Sequence, residues 1–251
     1  MPEPFFVDVH SHVVPSGDDG AQTVAEGTTL CRSAGEHGTR ILFATPHVWP
    51  QLTLTEGREA EVRRAFSAVA NEAGLELRLG FELTPSRALL TEDLRRYRLD
   101  GTNAVLMEVP FVGPGDPIFR LAEHAEASGL TPLIAHPERA EAVLAEPRLA
   151  LELASRGWPL QLNGTSLLGR HGWASEALAW DLLEEGLVAI VASDGHGPAR
   201  PPQLDRAFAA VCARLGDDRA VPLFDGSALG LNRPLARSVV SDGRAGKARP
   251  S

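Results

Sequence analysis

The amino-acid sequence predicts an α/β fold built from repeated β-α units with parallel strands. Short apolar runs alternate with longer amphipathic stretches about seven times before residue 220. The apolar runs lack the polar alternation of a half-exposed strand, so we expect strands that are buried on both faces. Glycines follow six of the amphipathic stretches, at the position where helices commonly end in a left-handed residue.

The predicted strands are rich in Val, Ile, Leu and Phe. They are Phe5–His10, Arg40–Pro46, Leu75–Leu83, Asn103–Val109, Thr131–His136, Pro159–Asn163 and Val188–Asp194. The predicted helices between them are Thr23–His37, Leu54–Ala73, Pro117–Ser128, Pro147–Arg156, Trp173–Glu185 and Pro202–Leu215. The glycines expected to end these helices are Gly38, Gly74, Gly129, Gly157, Gly186 and Gly216. Strands that alternate with helices in this way form a parallel sheet.

Residues 1–236 are predicted to form one domain, because no linker rich in Pro, Gly and Ser interrupts the β-α alternation. Residues 237–251 contain almost no core-forming side chain, so we expect a flexible tail there. The 33 acidic and 24 basic side chains give a net charge of −9, which argues against a nucleic-acid-binding protein. Neither a membrane span nor a signal peptide is visible, so the expected location is the cytoplasm. The sequence leaves the oligomeric state open.

The cysteine and lysine content excludes several catalytic chemistries. Cys31 and Cys212 are interpreted as small buried side chains, and neither has the arginine six positions later that a thiol-based phosphatase loop requires. The only lysine is Lys247, in the predicted tail. This excludes a phosphate-loop lysine, a Schiff-base lysine in the core and a carbamylated lysine that bridges two metals.

Side chains of metal-ligand type stand at or just beyond the ends of most predicted strands. They are His10, His12, Asp19, His47, Glu82, Glu108, His136, Asp194 and His196. The carboxyl ends of the strands in a β-α barrel form one rim, so these side chains are expected to converge. His10 with His12, and Asp194 with His196, are two positions apart, which places each pair on one side of an extended segment.

A single histidine in a strand is more often a hydrogen-bonded core residue than a metal ligand. Nine ligand-type residues at strand ends favour a metal site, because unpaired polar groups there would each cost a few kcal/mol. The mixed nitrogen and oxygen donors exceed the needs of one tetrahedral zinc, so two or three ions of Mn, Fe or Zn are expected. The remaining histidines are assigned to helices (His37 and His124) and to a loop that could reach the rim (His171).

The ordered motifs resemble those of the PHP (polymerase and histidinol phosphatase) metallo-phosphoesterases, and most closely the CpsB/CapC/YwqE-type bacterial protein-tyrosine phosphatases. They extend from Val7 to Pro202. They are Val-Asp-Val-His-Ser-His with Asp-Asp-Gly, Ala-Thr-Pro-His, Gly-Phe-Glu, Met-Glu-Val-Pro, Ile-Ala-His-Pro-Glu-Arg, Gln-Leu-Asn-Gly-Thr-Ser-Leu-Leu-Gly, and Ser-Asp-Gly-His with Arg-Pro-Pro. The set is specific because of its order, whereas His-x-His alone is a weak signal.

The resemblance implies a distorted (β/α)7 TIM-like barrel, the PHP fold, with a trinuclear metal site at the C-terminal rim of the strands. It also implies manganese as the usual ion and Glu82 as a shared bridge. The resemblance further implies one group of ligands for each of the three ions. These groups are His10, His12, Glu82 and Asp194 for the first ion; Glu82, Glu108 and His136 for the second; and Asp19, His47 and His196 for the third.

Two arginines match positions that the family is thought to use on the substrate phosphate, Arg139 and Arg200. A planar guanidinium binds a phosphoryl group through two parallel hydrogen bonds. The resemblance implies hydrolysis of phosphotyrosine on a protein, with a bacterial tyrosine kinase of exopolysaccharide or capsule synthesis as the expected partner. Three alternatives remain. They are a phosphatase for a small molecule such as histidinol phosphate, a non-catalytic PHP binding module, and an amidohydrolase acting on a C–N bond.

Overall fold

The chain folds into a barrel of parallel strands in a computed structural model, which describes residues 5–231. The strands are β1 (Phe6–Asp8), β2 (Thr39–Ala44), β3 (His47–Val48), β4 (Glu76–Leu79), β5 (Glu82–Leu83), β6 (Ala104–Glu108), β7 (Thr131–Ala135), β8 (Leu160–Asn163) and β9 (Val188–Ala192). One sheet has the order β1-β2-β4 and the other has the order β3-β5-β6-β7-β8-β9. Every pairing between these strands is parallel, as the sequence predicts.

The two sheets join into one closed barrel. Strand β2 runs on into β3 and β4 runs on into β5, with the Gly80 amide donating to the Ala44 carbonyl at 2.9 Å between them. The barrel closes beyond β1 and β9, where Ser11 and Gly195 form a parallel bridge and the His12 amide donates to the Gly195 carbonyl at 2.7 Å. The second and third strand positions are therefore each made of two short strands. The predicted seven-stranded β-α barrel is confirmed.

Two predicted strands differ from the structure. The strand predicted at Arg40–Pro46 ends at Ala44, and the chain returns to strand structure as β3 beyond the predicted end; the strand predicted at Leu75–Leu83 is interrupted between β4 and β5. Pro46 lacks an amide hydrogen and cannot continue the ladder of hydrogen bonds. Gly80 stands where a Cβ atom would lie 2.5 Å from the side chain of Leu99, so only glycine allows this close approach. Both interruptions directly precede residues at the rim, His47 and Glu82.

The helices surround the barrel. They are α1 (Val24–Glu36), α2 (Glu56–Ala70), α3 (Pro117–Ala127), α4 (Glu141–Ala145), α5 (Arg148–Ser155), α6 (Gly164–Leu167), α7 (Trp173–Glu184), α8 (Asp205–Leu215) and α9 (Asp217–Phe224). The six predicted helices are present with shifted ends; α2, for example, begins at Glu56 rather than at Leu54. Thr23 and Thr55 are the N-caps of α1 and α2, and their side chains accept hydrogen bonds from backbone amides of the first turn.

Helices α4, α6 and α9 were not predicted. Helices α4 and α6 have five and four residues, which is too short for a periodic pattern to appear. Helix α9 contains Pro222, which weakens the helical signal of its segment. All six glycines predicted to end helices have positive φ, from 74° at Gly186 to 92° at Gly38.

Apolar residues fill the barrel interior in an alternating pattern along the strands. Pairs two positions apart, such as Ala104 with Leu106 and Ile190 with Ala192, belong to one buried cluster inside the barrel. The intervening residues, such as Val105 on β6, pack with the helices in a larger outer cluster. Continuing the inward-facing alternation by two residues leads to acidic side chains at the rim. The apolar interior therefore fixes the register that aims these side chains into the barrel mouth.

No helix within residues 5–231 is both long and apolar enough to cross a membrane. The predicted tail, residues 237–251, lies outside the described residues, as does the end of the predicted domain at residue 236.

A buried carboxylate ties together the loops that follow β7 and β8. Glu138 is fully buried, and its Oε1 accepts hydrogen bonds from the backbone amide of Asn163 at 3.0 Å and from the Ser166 hydroxyl at 2.7 Å. Its second oxygen, Oε2, has no hydrogen-bond partner among the described residues. Burial raises the pKa of Glu138 to about 7, although these hydrogen bonds oppose the shift.

We expect Glu138→Gln to change how stability depends on pH. The pKa of Glu138 is higher in the folded chain than in the unfolded chain. The stability that the protonated side chain contributes to the folded state is therefore lost as pH rises from about 4.5 to about 7. Glutamine keeps the accepting oxygen and does not ionise. The free energy of unfolding of the variant relative to the wild type should therefore rise over this range, by on the order of 3 kcal/mol.

Urea unfolding at several pH values and a fixed manganese concentration measures this difference. Glu146→Gln, an exposed glutamate just after α4, serves as the control and should show no such trend. A constant difference between Glu138→Gln and the wild type from pH 5 to pH 8 would show that Glu138 is not held protonated by burial.

Candidate metal centre

The structure brings all nine candidate ligands to the C-terminal rim of the barrel. Seven of them are buried, namely His10, His12, His47, Glu82, Glu108, His136 and Asp194. The side chain of His196 is 11% exposed and that of Asp19 is 60% exposed, so these two lie at the entrance. The nine side chains therefore lie close together at one rim, as their positions at strand ends predict.

Glu82 lies at the centre of the group. Its Oε2 is 3.0 Å from Nδ1 of His47, 3.1 Å from Nε2 of His10 and 3.3 Å from Nε2 of His12. Its Oε1 is 2.9 Å from Nε2 of His136. One carboxylate therefore faces four imidazoles that come from three different strand ends.

Asp194 and Asp19 extend the group toward the entrance. Oδ1 of Asp194 is 3.4 Å from Nε2 of His10 and 3.4 Å from Nδ1 of His196. Oδ1 of Asp19 is 3.4 Å from Nε2 of His196 and 3.5 Å from Nε2 of His47. The ligand-type atoms thus form a continuous patch rather than separate sites.

Four overlapping clusters in this patch have the spacing that a metal ion needs. They are His12 with Asp19, His47 and His196; His10 with Glu82 and His136; His10 with His12 and Asp194; and His47 with Glu82 and Glu108. These clusters differ in three places from the partition that the resemblance implies. Glu108 groups with His47 rather than with His136, and His12 joins the cluster at the entrance. Glu82 is absent from the cluster of His10, His12 and Asp194 and groups with His10 and His136 instead.

Two of the candidate ligands have an unusual backbone conformation. His136 has φ of 31° and Asp194 has φ of 51°, and they are the only non-glycine residues with positive φ in residues 5–231. His136 directly follows the end of β7, and Asp194 lies two residues after the end of β9. The left-handed conformation turns the chain sharply at the rim, and strain of this kind is typical of functional sites.

Burial keeps several of the imidazoles neutral. It lowers the pKa of His47 to about 3, and it also lowers the pKa values of His136 and His196. Neutral imidazole is the form that binds a metal ion. For His10 and His12, burial also opposes the charged form, but the neighbouring carboxylates outweigh it and raise the pKa.

The buried carboxylates have opposite shifts. Burial disfavours the charged form of Glu82 and Asp194, but the histidines around them outweigh it and hold both pKa values well below the usual range. Glu108 differs because burial and the charge of Glu82 both raise its pKa. A bound cation next to Glu108 would favour its carboxylate form.

Several buried donor and acceptor atoms at the rim lack an aligned hydrogen-bond partner within the described residues. They are Oε2 of Glu82, Oε2 of Glu108, and Nδ1 of His47 and His136. Buried polar atoms are ordinarily paired, so a group of unpaired nitrogen and oxygen atoms in one place calls for another partner. Divalent metal ions that accept mixed nitrogen and oxygen ligands fit this set of donors.

Hydrogen bonds from neighbouring residues orient the ligands. Oε1 of Gln161 accepts from Nδ1 of His10 at 2.9 Å, which leaves Nε2 of His10 facing the carboxylates. Gln161 in turn donates to Asn163, and Asn163 donates to Oδ2 of Asp194 at 2.8 Å. Asp18 accepts from the His47 amide at 3.0 Å and lies 3.4 Å from Nδ1 of His12.

The sequence patterns do not assign an orienting role to Gln161, Asn163 or Asp18. The signal for Gln161 and Asn163 was their spacing of two at the end of a predicted strand, which puts both side chains on one face. Asp18 differs from its neighbour Asp19 only in burial, which the sequence does not reveal.

Arg139 and Arg200 meet at Asp194, as their positions beside the predicted ligands suggest. Nη1 of Arg139 is 2.6 Å from Oδ2 of Asp194, and Nη1 of Arg200 is 3.4 Å from the same oxygen. Their side chains are 18% and 24% exposed. Both guanidinium groups therefore stand at the entrance, with donors in reach of an incoming anion.

The entrance is a cavity of about 340 Å³. It is lined by Asp19, His47, Trp49, Glu108, Phe111, His136, Arg139, Asp194, His196 and Arg200. Guanidinium groups beside a cluster of metal-ligand atoms suit a ligand with several anionic oxygens. Of the remaining histidines, His37 and His124 donate hydrogen bonds to the backbone carbonyls of Ser33 and Glu92, and neither lines the cavity. Nδ1 of His171 lies 2.9 Å from the Ser166 hydroxyl, outside the cavity lining. Burial lowers the pKa of His171 to about 4, and the charges of Arg139 and Arg200 add to this shift, so the His171 loop lies near the rim.

Comparison with known proteins places the chain in a family. A family model described as capsular polysaccharide synthesis, CpsB/CapC, matches residues 6–229. The chain is 31% identical over 207 residues to the tyrosine-protein phosphatase YwqE of Bacillus subtilis, which covers 76% of this chain and 77% of YwqE. It is 30% identical over 233 residues to the tyrosine-protein phosphatase CpsB of Streptococcus agalactiae, which covers 87% of this chain and 94% of CpsB.

Solved structures agree with this relationship. One similar structure comes from a set that comprises YwqE of Bacillus subtilis and CpsB of Streptococcus pneumoniae, which are described as unique metal-dependent tyrosine phosphatases. It superposes on this chain with a TM-score of 0.76 at 26% sequence identity. The superposition covers 90% of this chain and 94% of that one. A D-hydantoinase from Thermus sp. shares only the fold, with a TM-score of 0.58 at 13% identity over 91% of this chain and 71% of the hydantoinase. The family match over nearly the whole described chain and the identities to its members show that this protein belongs to the CpsB/CapC family.

Proposed function

We propose that this protein is a metal-dependent phosphomonoesterase that hydrolyses phosphotyrosine in proteins. The observation that carries the proposal is the position of two guanidinium groups, Arg139 and Arg200, directly beside a buried cluster of metal-ligand atoms. Relatives that are 30% and 31% identical to this chain are tyrosine-protein phosphatases, which supports the same substrate class here.

The nine rim residues would hold two or three divalent ions, which we propose to be manganese in preference to iron or zinc. The absence of cysteine among the nine donors disfavours a structural zinc site. Divalent ions in such a site activate water for attack and neutralise phosphate oxygens. The contacts of Glu82 with four imidazoles support a bridging role for its carboxylate.

The side chains of this protein supply binding and orientation. Arg139 and Arg200 would bind the phosphate oxygens, and the contact of Arg139 with Asp194 keeps its guanidinium at the cavity wall. Gln161 and Asn163 hold His10 and Asp194 in place through hydrogen bonds. Because phenolate is a better leaving group than alkoxide, a phosphotyrosine substrate needs no strong general acid.

We propose a bacterial tyrosine kinase of exopolysaccharide or capsule synthesis as the partner, a proposal supported by the description of the family. A small-molecule monoester such as histidinol phosphate remains the alternative within this chemistry. Phosphate release from a phosphotyrosine peptide, histidinol phosphate and a phosphoserine peptide, compared on manganese-loaded protein, decides between them. Faster turnover of histidinol phosphate than of the phosphotyrosine peptide would contradict the proposal.

Metal content is the first expected property. Protein loaded with manganese should carry two or three ions per chain, because the rim holds more donors than one ion can use. His136→Ala should lose at least part of this metal, while His37→Ala, at the end of α1, should keep all of it. Elemental analysis measures the content. A value below one ion per chain after loading would refute the metal site.

Chelation should also lower the melting temperature. Without cations, the carboxylates of Glu82, Glu108 and Asp194 face one another in a buried space, so metal binding stabilises the folded state. Thermal unfolding with and without a chelator measures this effect. An unchanged melting temperature in protein shown to have lost its metal would contradict it.

The arginines should affect turnover without affecting metal content. Losing a charge-assisted donor to the transferred phosphoryl group typically costs about 2.7–4 kcal/mol, so Arg139→Ala or Arg200→Ala should each lower turnover by roughly 100-fold or more. Lysine at either position should rescue little, because an ammonium group does not reproduce the planar fork.

Arg156→Ala is the matched control, since Arg156 lies at the end of α5 and pairs with Glu123 on the surface. It should keep wild-type turnover. Near-normal turnover of a phosphotyrosine peptide by either Arg139→Ala or Arg200→Ala would show that the arginine concerned does not bind the phosphate.

Hydrolysis should not depend on a thiol. Cys31 is buried, and burial raises its pKa to about 12, so it cannot supply a thiolate near neutral pH. Burial also raises the pKa of Cys212. Iodoacetamide and the double variant Cys31→Ala with Cys212→Ser should leave turnover close to the wild type. A folded, metal-loaded double variant without activity would contradict this prediction.

A further inference from the structure

Two aromatic side chains line the entrance cavity, and neither the metal ligands nor the arginines account for them. Trp49 follows β3, and its ring stacks on that of His47 with the centroids 4.4 Å apart and an interplanar angle of 30°. Phe111 lies beyond β6, and its ring is nearly parallel to that of His136, with the centroids 5.2 Å apart at 7°. Both rings are partly exposed at the rim.

We infer that Trp49 and Phe111 form the aryl-binding wall of the site and make it select aryl over alkyl phosphomonoesters. This inference rests on the proposed phosphatase function and adds the residues that determine its specificity. Both rings belong to the lining of the same cavity as Arg139 and Arg200. A phosphate bound by these arginines therefore places the group attached to it next to the aromatic lining.

The position of Arg139 links the aryl wall to the phosphate. The central carbon of its guanidinium lies 4.6 Å from the centroid of the Phe111 ring, within the range of a cation–π contact. The aromatic carbon of an aryl phosphate is only two bonds from phosphorus. A ring whose phosphate contacts Arg139 consequently lies within reach of Phe111.

Exposure of Phe111 supports a role in binding. Phe111 is 36% exposed, although most large apolar residues of the described chain are buried. The backbone beside it is fixed, since its carbonyl accepts from the Glu141 amide at 3.0 Å. Trp49 is likewise held by a short turn in which its carbonyl accepts from the Leu52 amide at 3.0 Å. Fixed, partly exposed rings are suited to stacking with another ring.

The cavity size agrees with a single aromatic side chain as the occupant. Its volume of about 340 Å³ is at the small end of the range for ligand pockets. Its lining combines charged and imidazole groups with the aromatic rings of Trp49 and Phe111. An alkyl phosphate would contact the charged and imidazole groups but would cover little of the exposed surface of the two rings.

Binding of two non-hydrolysable phosphonates to the manganese-loaded protein tests the inference. Phenylphosphonate and methylphosphonate share the anionic group and differ in the ring. The wild type should bind phenylphosphonate roughly tenfold or more tightly, because stacking and ring burial add to the shared contacts. Phe111→Leu and Trp49→Leu should each reduce this preference several-fold and leave the dissociation constant of methylphosphonate nearly unchanged. Calorimetry gives both constants without relying on turnover.

The control is Trp173→Leu. Trp173 begins α7, is 82% exposed and lies outside the cavity lining, so this variant should keep the full preference. The ratio of kcat/KM for a phosphotyrosine peptide to that for a phosphoserine peptide of the same sequence should fall in the Phe111 and Trp49 variants and stay unchanged in the control.

Three results would overturn the inference. The first is equal affinity of the wild type for the two phosphonates. The second is an unchanged preference in both leucine variants. The third is an equally weakened binding of both phosphonates in both variants, which would mean that the rings only support the metal ligands and Arg139.

Failure of this inference can be distinguished from failure of the proposed function. Equal affinities for the two phosphonates in a protein that still hydrolyses phosphotyrosine would refute the aryl wall alone. A metal-loaded protein that hydrolyses no phosphomonoester would refute the proposed function as well.

Discussion

The burial of Glu82 among imidazoles is the interaction on which the rest of the rim depends. An ionised carboxylate without access to water is costly unless it is compensated, and here four histidines surround it. These histidines come from the segments after β1 and β7 and from β3. The compensation therefore exists only when the barrel is closed and its strands are in register. The polar rim and the folded barrel form together.

The apolar interior supplies the order that the rim needs. On β6 the inward-facing series Ala104, Leu106 ends in Glu108, and on β9 the series Ile190, Ala192 leads to Asp194. A slip of one residue in either strand would turn its carboxylate outward. Tight packing of small and branched side chains in the interior thus sets the positions of charges that repel one another. The proposed metal ions would relieve that repulsion.

The sequence predicts the barrel well because parallel strands buried on both faces leave a strong apolar signal, and glycines mark the helix ends. It predicts the strand interruptions at Pro46 and Gly80 poorly, since Gly80 is required by contact with the distant Leu99. The ligand-type residues are found from chemistry and spacing. The hydrogen bond between Gln161 and His10 joins residues 151 positions apart, which no local pattern reveals. Trp49 and Phe111 look like ordinary core residues in a sequence.

The left-handed conformations of His136 and Asp194 have a consequence for engineering. Such a conformation in a residue other than glycine costs on the order of 1–3 kcal/mol, which glycine at either position would relieve. Glycine would, however, also remove the buried partner of Arg139 and Asn163 at position 194, and that of Glu82 at position 136. Stabilising libraries for this barrel should keep both positions fixed and draw their variation from the helices of the outer layer.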